Sequence, residues 1–182
     1  MILRKQNLPT GRPARHSGGA NVQQMDRPAA APGLNVQQPH HADPKATLKI
    51  IPLGGIEEVG ENMTVLEYGD DIVVIDMGLG FPDETMPGID YIIPNTKYLE
   101  DNKKRIKGVI ITHGHLDHIG AIPYILPKIG DPPIYTMKLT GELIKKRLEE
   151  FHLLGRSQIH ELNKDDILTL GNFRIRFFRI NH

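Results

Sequence analysis

The chain contains no cysteine, which excludes disulfides and thiolate metal sites and agrees with a cytoplasmic location. It has no apolar run near the ~20 residues needed to span a bilayer, so no membrane partner is expected. Arg4 and Lys5 lie near the start without an apolar segment behind them, so no secretory signal is expected either. Net charge is also missing. At a formal +0 the whole chain has no attraction for a polyanion, and any nucleic-acid contact must rest on local patches. What is present is ordinary for a globular protein: 182 residues, 39% hydrophobic and 24% charged, enough for one domain with a sizeable core.

Residues 1–45 differ in kind from the rest. They are rich in Pro, Gly, Ala, Asn and Gln, and Ala20-Asn21-Val22-Gln23-Gln24 is echoed by Leu34-Asn35-Val36-Gln37-Gln38. Such a stretch buries too little apolar surface to offset its ordering entropy and reads as a disordered arm. Arg4, Lys5, Arg12, Arg15, Arg27 and Lys45 against Asp26 and Asp43 give it a net charge of +4. A basic arm adds salt-dependent affinity for RNA or DNA. A solvated tail without a partner, His40 and His41 included, is the simpler reading.

Residues 46–182 form the folded part. Leu48–Leu53, Asn62–Tyr68 and Ile72–Ile75 read as strands, the last uniformly apolar as a central strand should be, with a hairpin turn at Gly69-Asp70-Asp71. Asp76 stands at the tip of that strand, either as a turn former or as a site group. A short charged helix is expected over Thr96–Lys104 and a strand over Ile106–Ile111. Ile119, Ile122, Ile125, Leu126 and Ile129 recur at helical spacing over His118–Ile129, with Pro123 in the first turns. Leu139, Leu143, Ile144, Leu148 and Phe151 trace one face of a further helix, opposite Lys145, Lys146, Glu149 and Glu150. His152 and His160 read as structural or surface groups. Short strands follow at Ile167–Leu170 and Phe173–Ile180, the Phe177-Phe178 doublet marking a bulge or a strand end. Strands alternating with helices indicate an α/β or α+β class with a mixed sheet.

The chemistry lies in Thr112-His113-Gly114-His115-Leu116-Asp117-His118, directly after the apolar Val109-Ile110-Ile111. Lone loop histidines are usually solvated; four metal-competent residues within six positions at a strand end are not a surface accident. His113 and His115, two apart in extended backbone, point to one side and can share a metal. Asp117 and His118 follow the turn and can hold a second, and Gly114 leaves room for the bend. Imidazole and carboxylate donors suit zinc, with manganese or iron possible. Two metals about 3.5–4 Å apart clamp the attacking and leaving oxygens of a displacement.

With those residues in place, the span Leu48–His182 resembles the metallo-β-lactamase fold and, within it, the β-CASP family of ribonucleases. The similarity extends beyond the metal motif to Pro52-Leu53-Gly54-Gly55, Glu58-Val59-Gly60, Asn62-Met63, Phe81-Pro82, Gly88-Ile89-Asp90-Tyr91, Ile93-Pro94 and the run from Thr112 to Tyr124. This resemblance implies an α+β fold, the αββα four-layer sandwich, with Asp76 as a buried acid supporting the metal loop. It implies His113, His115 and His182 on one zinc ion, and Asp117 and His118 on the other and in catalysis. It further implies a 5′-to-3′ exonuclease with endonucleolytic activity in RNA processing, ribosomal RNA included, and RNA decay. RNA would be the partner, and the full-length protein a dimer or tetramer. Leu116 and Asn95 stand where acidic residues are expected. The family's bridging aspartate, last metal histidine and inserted domain are absent, so the sequence is expected to be the front, truncated part of a longer protein. Two other readings stay open: another hydrolase of this fold acting on a lactam, thioester or small phosphoester, and an inactive fragment with an incomplete second metal position.

Overall fold

The computed structural model describes residues 46–178. The expected arm over 1–45, with His40 and His41, and His182, expected as a ligand, lie outside the described residues. Three strands open the fold: β1 (Lys49–Gly54), β2 (Met63–Tyr68) and β3 (Asp71–Ile75), each antiparallel to the next. Pro52, which has no N–H to donate, is tolerated because β1 is an edge strand. Tyr68 pairs with Asp71, leaving a two-residue turn in which Gly69 takes φ +57°, as a tight hairpin requires. Three parallel strands continue the sheet, β4 (Ile106–Ile110), β5 (Ile134–Met137) and β6 (Ile159–Leu162), in the order β1-β2-β3-β4-β5-β6.

Parallel neighbours need crossovers, and helices supply them. Between β3 and β4 runs α1 (Lys97–Asp101) with a 3₁₀ turn at Lys103–Arg105; between β4 and β5 lie α2 (Leu116–Ile119) and α3 (Ile122–Ile125); between β5 and β6 lies α4 (Lys138–Glu150). Alternation along the strands then sorts the core into two faces. Ile72, Val74, Val109, Ile111 and Ile134 pack with Leu99, Ile119, Ile122, Ile125, Leu126, Ile144 and Leu148 from the helices. Val73, Ile110 and Leu162 face the other way, onto Leu168 and Leu170 of a second, two-stranded sheet, β7 (Ile167–Leu170) and β8 (Phe173–Arg176). Helices, large sheet and small sheet are therefore three successive layers of the expected four. Buried Asp71 ties the small sheet down: its Oδ2 accepts from Asn172 N–H and Nδ2–H, both at 2.7 Å, in the β7–β8 turn. None of the helices among the described residues is long and apolar enough to cross a membrane.

Two sequence expectations are corrected. The single helix over His118–Ile129 is two short helices, because three consecutive links of its hydrogen-bond ladder are diverted. Ala121 N–H donates to Met77 O (2.9 Å), the oxygens of Asp117 and His118 accept from Asn62 N–H (3.2 Å) and Met77 N–H (2.8 Å), and Pro123 has no N–H at all. The apolar face of α4 is also shifted. Leu139 and Leu143 are 76% and 43% exposed, while Thr140, Gly141, Ile144 and Leu148 are buried. Gly141 sits close to the side chain of Glu161, so the helix lies against β6 through its small residues. Strand β6 has no counterpart among the sequence expectations; β8 ends at Arg176, ahead of the Phe177-Phe178 doublet.

At the end of the sheet far from the metal loop, Glu67 is 4% exposed and accepts from Lys49 Nζ and Arg105 Nη2, both at 2.9 Å, and from the Tyr98 hydroxyl. Burial pushes its carboxyl up, but the hydrogen bonds from Tyr98, Lys49 and Arg105 outweigh this and hold it at about 2. A carboxyl depressed in the fold stabilises it above the unfolded value, near 4.5, and loses that contribution as pH falls towards about 2. Glu67→Gln is expected to cost about 2–4 kcal/mol at neutral pH, since it leaves Arg105 half-paired. Urea unfolding should show the cost shrinking between pH 4.5 and 2; a pH-independent difference would contradict the assignment.

Candidate metal centre

The site is built at the carboxyl ends of two parallel strands, where open α/β sheets commonly place their ligands. Strand β3 delivers Asp76 and β4 delivers Thr112, and Asp76 N–H→Ile110 O (2.9 Å) carries the pairing past the strand end. Asp76 turns there into the left-handed region, φ +61°, which an aspartate tolerates better than most residues. The turn buries its carboxylate and aims it across the strand gap. Oδ1 accepts Thr112 N–H at 2.8 Å and Oδ2 accepts the Thr112 hydroxyl at 2.8 Å. Oδ2 also takes His118 Nδ1 at 2.8 Å.

That last contact assigns a tautomer. A carboxylate only accepts, so the proton on the neutral His118 ring belongs to Nδ1 and the lone pair to Nε2. Nε2 is directed at Asp117 Oδ2, 3.3 Å away. Burial pushes the His118 imidazole down, but the Asp76 hydrogen bond and the charges of Asp76 and Asp117 outweigh it and leave it above its ordinary value. On the other side of the loop His113 Nε2 lies 3.1 Å from His115 Nδ1, and the His113 ring centroid is 4.0 Å from that of His118. His115 is exposed and the other three are half-buried, so the cluster opens to solvent.

The structure thus gathers His113, His115, Asp117, His118 and Asp76, all expected from the sequence, into one cluster. One further polar side chain joins it. Asn62, just ahead of β2, donates through Nδ2 to Asp117 O and Asp117 Oδ2, both at 3.1 Å. Its only sequence signal is its place beside Met63 after the Glu58-Val59-Gly60 loop; fifty-five positions separate it from its partner.

The donor set fits divalent metal. Among the described residues no three imidazole or carboxylate groups already surround one point; they meet as two pairs. Two donors bound at 2.0–2.1 Å to one tetrahedral zinc lie about 3.3 Å apart. His113/His115 at 3.1 Å and Asp117/His118 at 3.3 Å are both near that edge length. His118 also has the carboxylate behind its distal nitrogen that orients metal-binding imidazoles.

Comparison with known proteins places the chain in a family. Residues 56–178 match the metallo-beta-lactamase superfamily. The chain is 42% identical over 152 residues to a protein named Ribonuclease J from Thermus thermophilus, an alignment covering 80% of this chain and 26% of that one. It is 41% identical over 136 residues to Ribonuclease J from Synechocystis, covering 74% and 21%. The chain therefore spans about a quarter of the length of these curated relatives. Among solved structures, the metallo-beta-lactamase fold protein YhfI from Bacillus subtilis superposes with a TM-score of 0.51 at 21% identity, over 74% of this chain and 54% of that one. A protein of unknown function from Enterococcus faecalis gives a TM-score of 0.55 at 20% identity, over 74% and 38%.

Proposed function

Because the chain belongs to the metallo-beta-lactamase superfamily, we propose that it carries the metal-binding heart of a ribonuclease acting in RNA processing and decay. The observation that supports RNA over other substrates of this fold is the similarity to relatives named ribonuclease J, at 42% and 41% identity. In this reading His113 and His115 hold one zinc or manganese ion, with His182 joining them, and Asp117 and His118 hold the second. Bound ions of this kind neutralise charge on phosphoryl oxygens and make water acidic enough to act near neutral pH.

The chain's own residues supply the rest. Asp76 keeps the proton on His118 Nδ1, so that Nε2 offers its lone pair to the site. Thr112, held by the same carboxylate through N–H and hydroxyl, fixes the start of the loop, so that His113 and His115 leave the strand in a set direction. Asp117, at the first turn of α2, accepts a hydrogen bond from the attacking water and orients it towards the phosphorus. The full-length protein is proposed to be a cytoplasmic dimer or tetramer that degrades RNA 5′-to-3′ and also cuts internally.

The test is metal content and RNA decay in the full-length protein and its His115→Ala variant. Loss of one ion and at least a hundredfold drop in cleavage are expected, since a direct ligand matters more than the outer partners worth 10–100-fold. Undiminished cleavage by the variant would defeat the proposal. Turnover of a thioester or lactam with no action on RNA would transfer the site to another hydrolase.

A further inference from the structure

We infer that Asn62 is the positioning residue that sets the Asp117 carboxylate against His118 and so defines the second metal position. The inference rests on the reading of the loop as a metal site. Residue 62 is already stitched to the loop by its backbone: its N–H donates to Asp117 O (3.2 Å) and its C=O accepts from Gly78 N–H (3.0 Å). The side chain adds something separate. Nδ2 lies 3.1 Å from Asp117 O, 3.1 Å from Asp117 Oδ2 and 3.3 Å from His118 Nε2. Both Asp117 oxygens are acceptors only, so the amide nitrogen, not its oxygen, must face them.

The consequence is geometric. A carboxylate on a short helix can rotate about χ1 and χ2 unless a group outside the helix holds it. With one amide N–H on its backbone oxygen and the other on Oδ2, Asp117 is fixed in the rotamer that places Oδ2 3.3 Å from His118 Nε2. Behind the amide lies Gly55, with no side chain to crowd it. Gly55 has φ +80°, and a Cβ there would fall 2.7 Å from Asn62 Oδ1. A side chain at residue 55 would therefore push the amide off Asp117. This gives Gly55 a role in the site without any contact of its own to Asp117 or His118.

The experiment is a cobalt(II) titration of the protein, followed by the d–d absorption, on the parent and on Asn62→Leu, Asn62→Ala and Gly55→Ala. Leucine keeps the volume and removes both donors; alanine guards against misfolding, because the backbone bonds of residue 62 survive it. Cobalt affinity at the Asp117/His118 position should fall ten- to a hundredfold in each variant, as for other outer partners of metal ligands, with binding at His113/His115 unchanged. In the metal-free protein the ¹⁵N resonance of His118 Nε2 should shift in all three. Parental affinity and an unmoved His118 resonance in the Asn62 variants would overturn the inference and leave the metal site standing. A parent that takes up no cobalt would overturn the metal site itself, and the role of Asn62 with it.

Discussion

Gly78→Ala should be among the most damaging changes available to this protein, although it adds one methyl group. A Cβ at residue 78 would lie 1.6 Å from the Asp117 carbonyl oxygen, 2.4 Å from its carbon and 2.7 Å from Asn62 N. All three are backbone atoms, so no rotamer change relieves the clash; the strand end and α2 must move apart. That movement breaks Asn62 N–H→Asp117 O, Met77 N–H→His118 O and Leu79 N–H→Leu116 O together. A cost of about 4–5 kcal/mol or more is expected, the upper range for single substitutions and a large share of a typical 5–15 kcal/mol stability. At 2–4 °C per kcal/mol for a domain of this size, melting should fall by roughly 10–20 °C. Metal uptake should fall with it, because the broken bonds hold the Asp117/His118 pair. Gly155→Ala is the control: nothing lies within 4 Å of a Cβ there, and a change within about 0.5 kcal/mol is expected. A Gly78→Ala protein that melts like its parent would show that the loop does not pack as described.

The difference between those two glycines indicates what could be read from the sequence. The candidate metal loop is legible because its possible donors are local: strand, bend and four metal-competent side chains fit within a few residues, and extended backbone alone suggests that His113 and His115 share a side. The central strands were legible because burial on both faces forces the unbroken apolar run Ile72–Ile75. Long-range partners left no such trace. Asn62 meets Asp117 across 55 positions and Asp71 meets Asn172 across 101, and neither is marked by periodicity. The break in the His118–Ile129 helix was hidden for the same reason, since the groups that capture its carbonyls belong to Asn62 and Met77. For α4, Ile144 and Leu148 of the expected stripe are buried, but Leu139 and Leu143 are not. The stripe against the sheet includes Thr140 and Gly141 because the helix approaches β6 closely, and Leu143 was left beside the loop, where its Cδ1 would meet a Cβ on Gly114 at 2.4 Å. Strand β6, with only Ile159 and Leu162 apolar among four residues, is too short to declare itself.

Asp76→Asn should uncouple the metal loop from the sheet without disturbing the backbone. Asparagine tolerates φ near +61° at least as well as aspartate, so the conformational cost is close to nil and the effect is chemical. The carboxylate accepts from three donors, Thr112 N–H, the Thr112 hydroxyl and His118 Nδ1–H. An amide has one accepting oxygen and one donating nitrogen, so one side must lose. If the oxygen stays with His118, the NH₂ faces Thr112 N–H, donor against donor. If the oxygen stays with Thr112, the NH₂ faces His118 Nδ1, and the ring can accept only by moving its own proton to Nε2. That proton then occupies the lone pair aimed at the Asp117/His118 position. Either outcome costs about 1–3 kcal/mol of stability for a buried unmet donor or a forced tautomer, and zinc affinity at that position should fall 10–100-fold, as when other carboxylates behind metal-binding imidazoles are removed. Calorimetric zinc titration with thermal melting measures both, and ¹⁵N spectra of the metal-free protein report which ring nitrogen of His118 carries the proton. An Asp76→Asn protein with parental zinc affinity and an Nδ1–H tautomer would mean that the carboxylate does not orient His118.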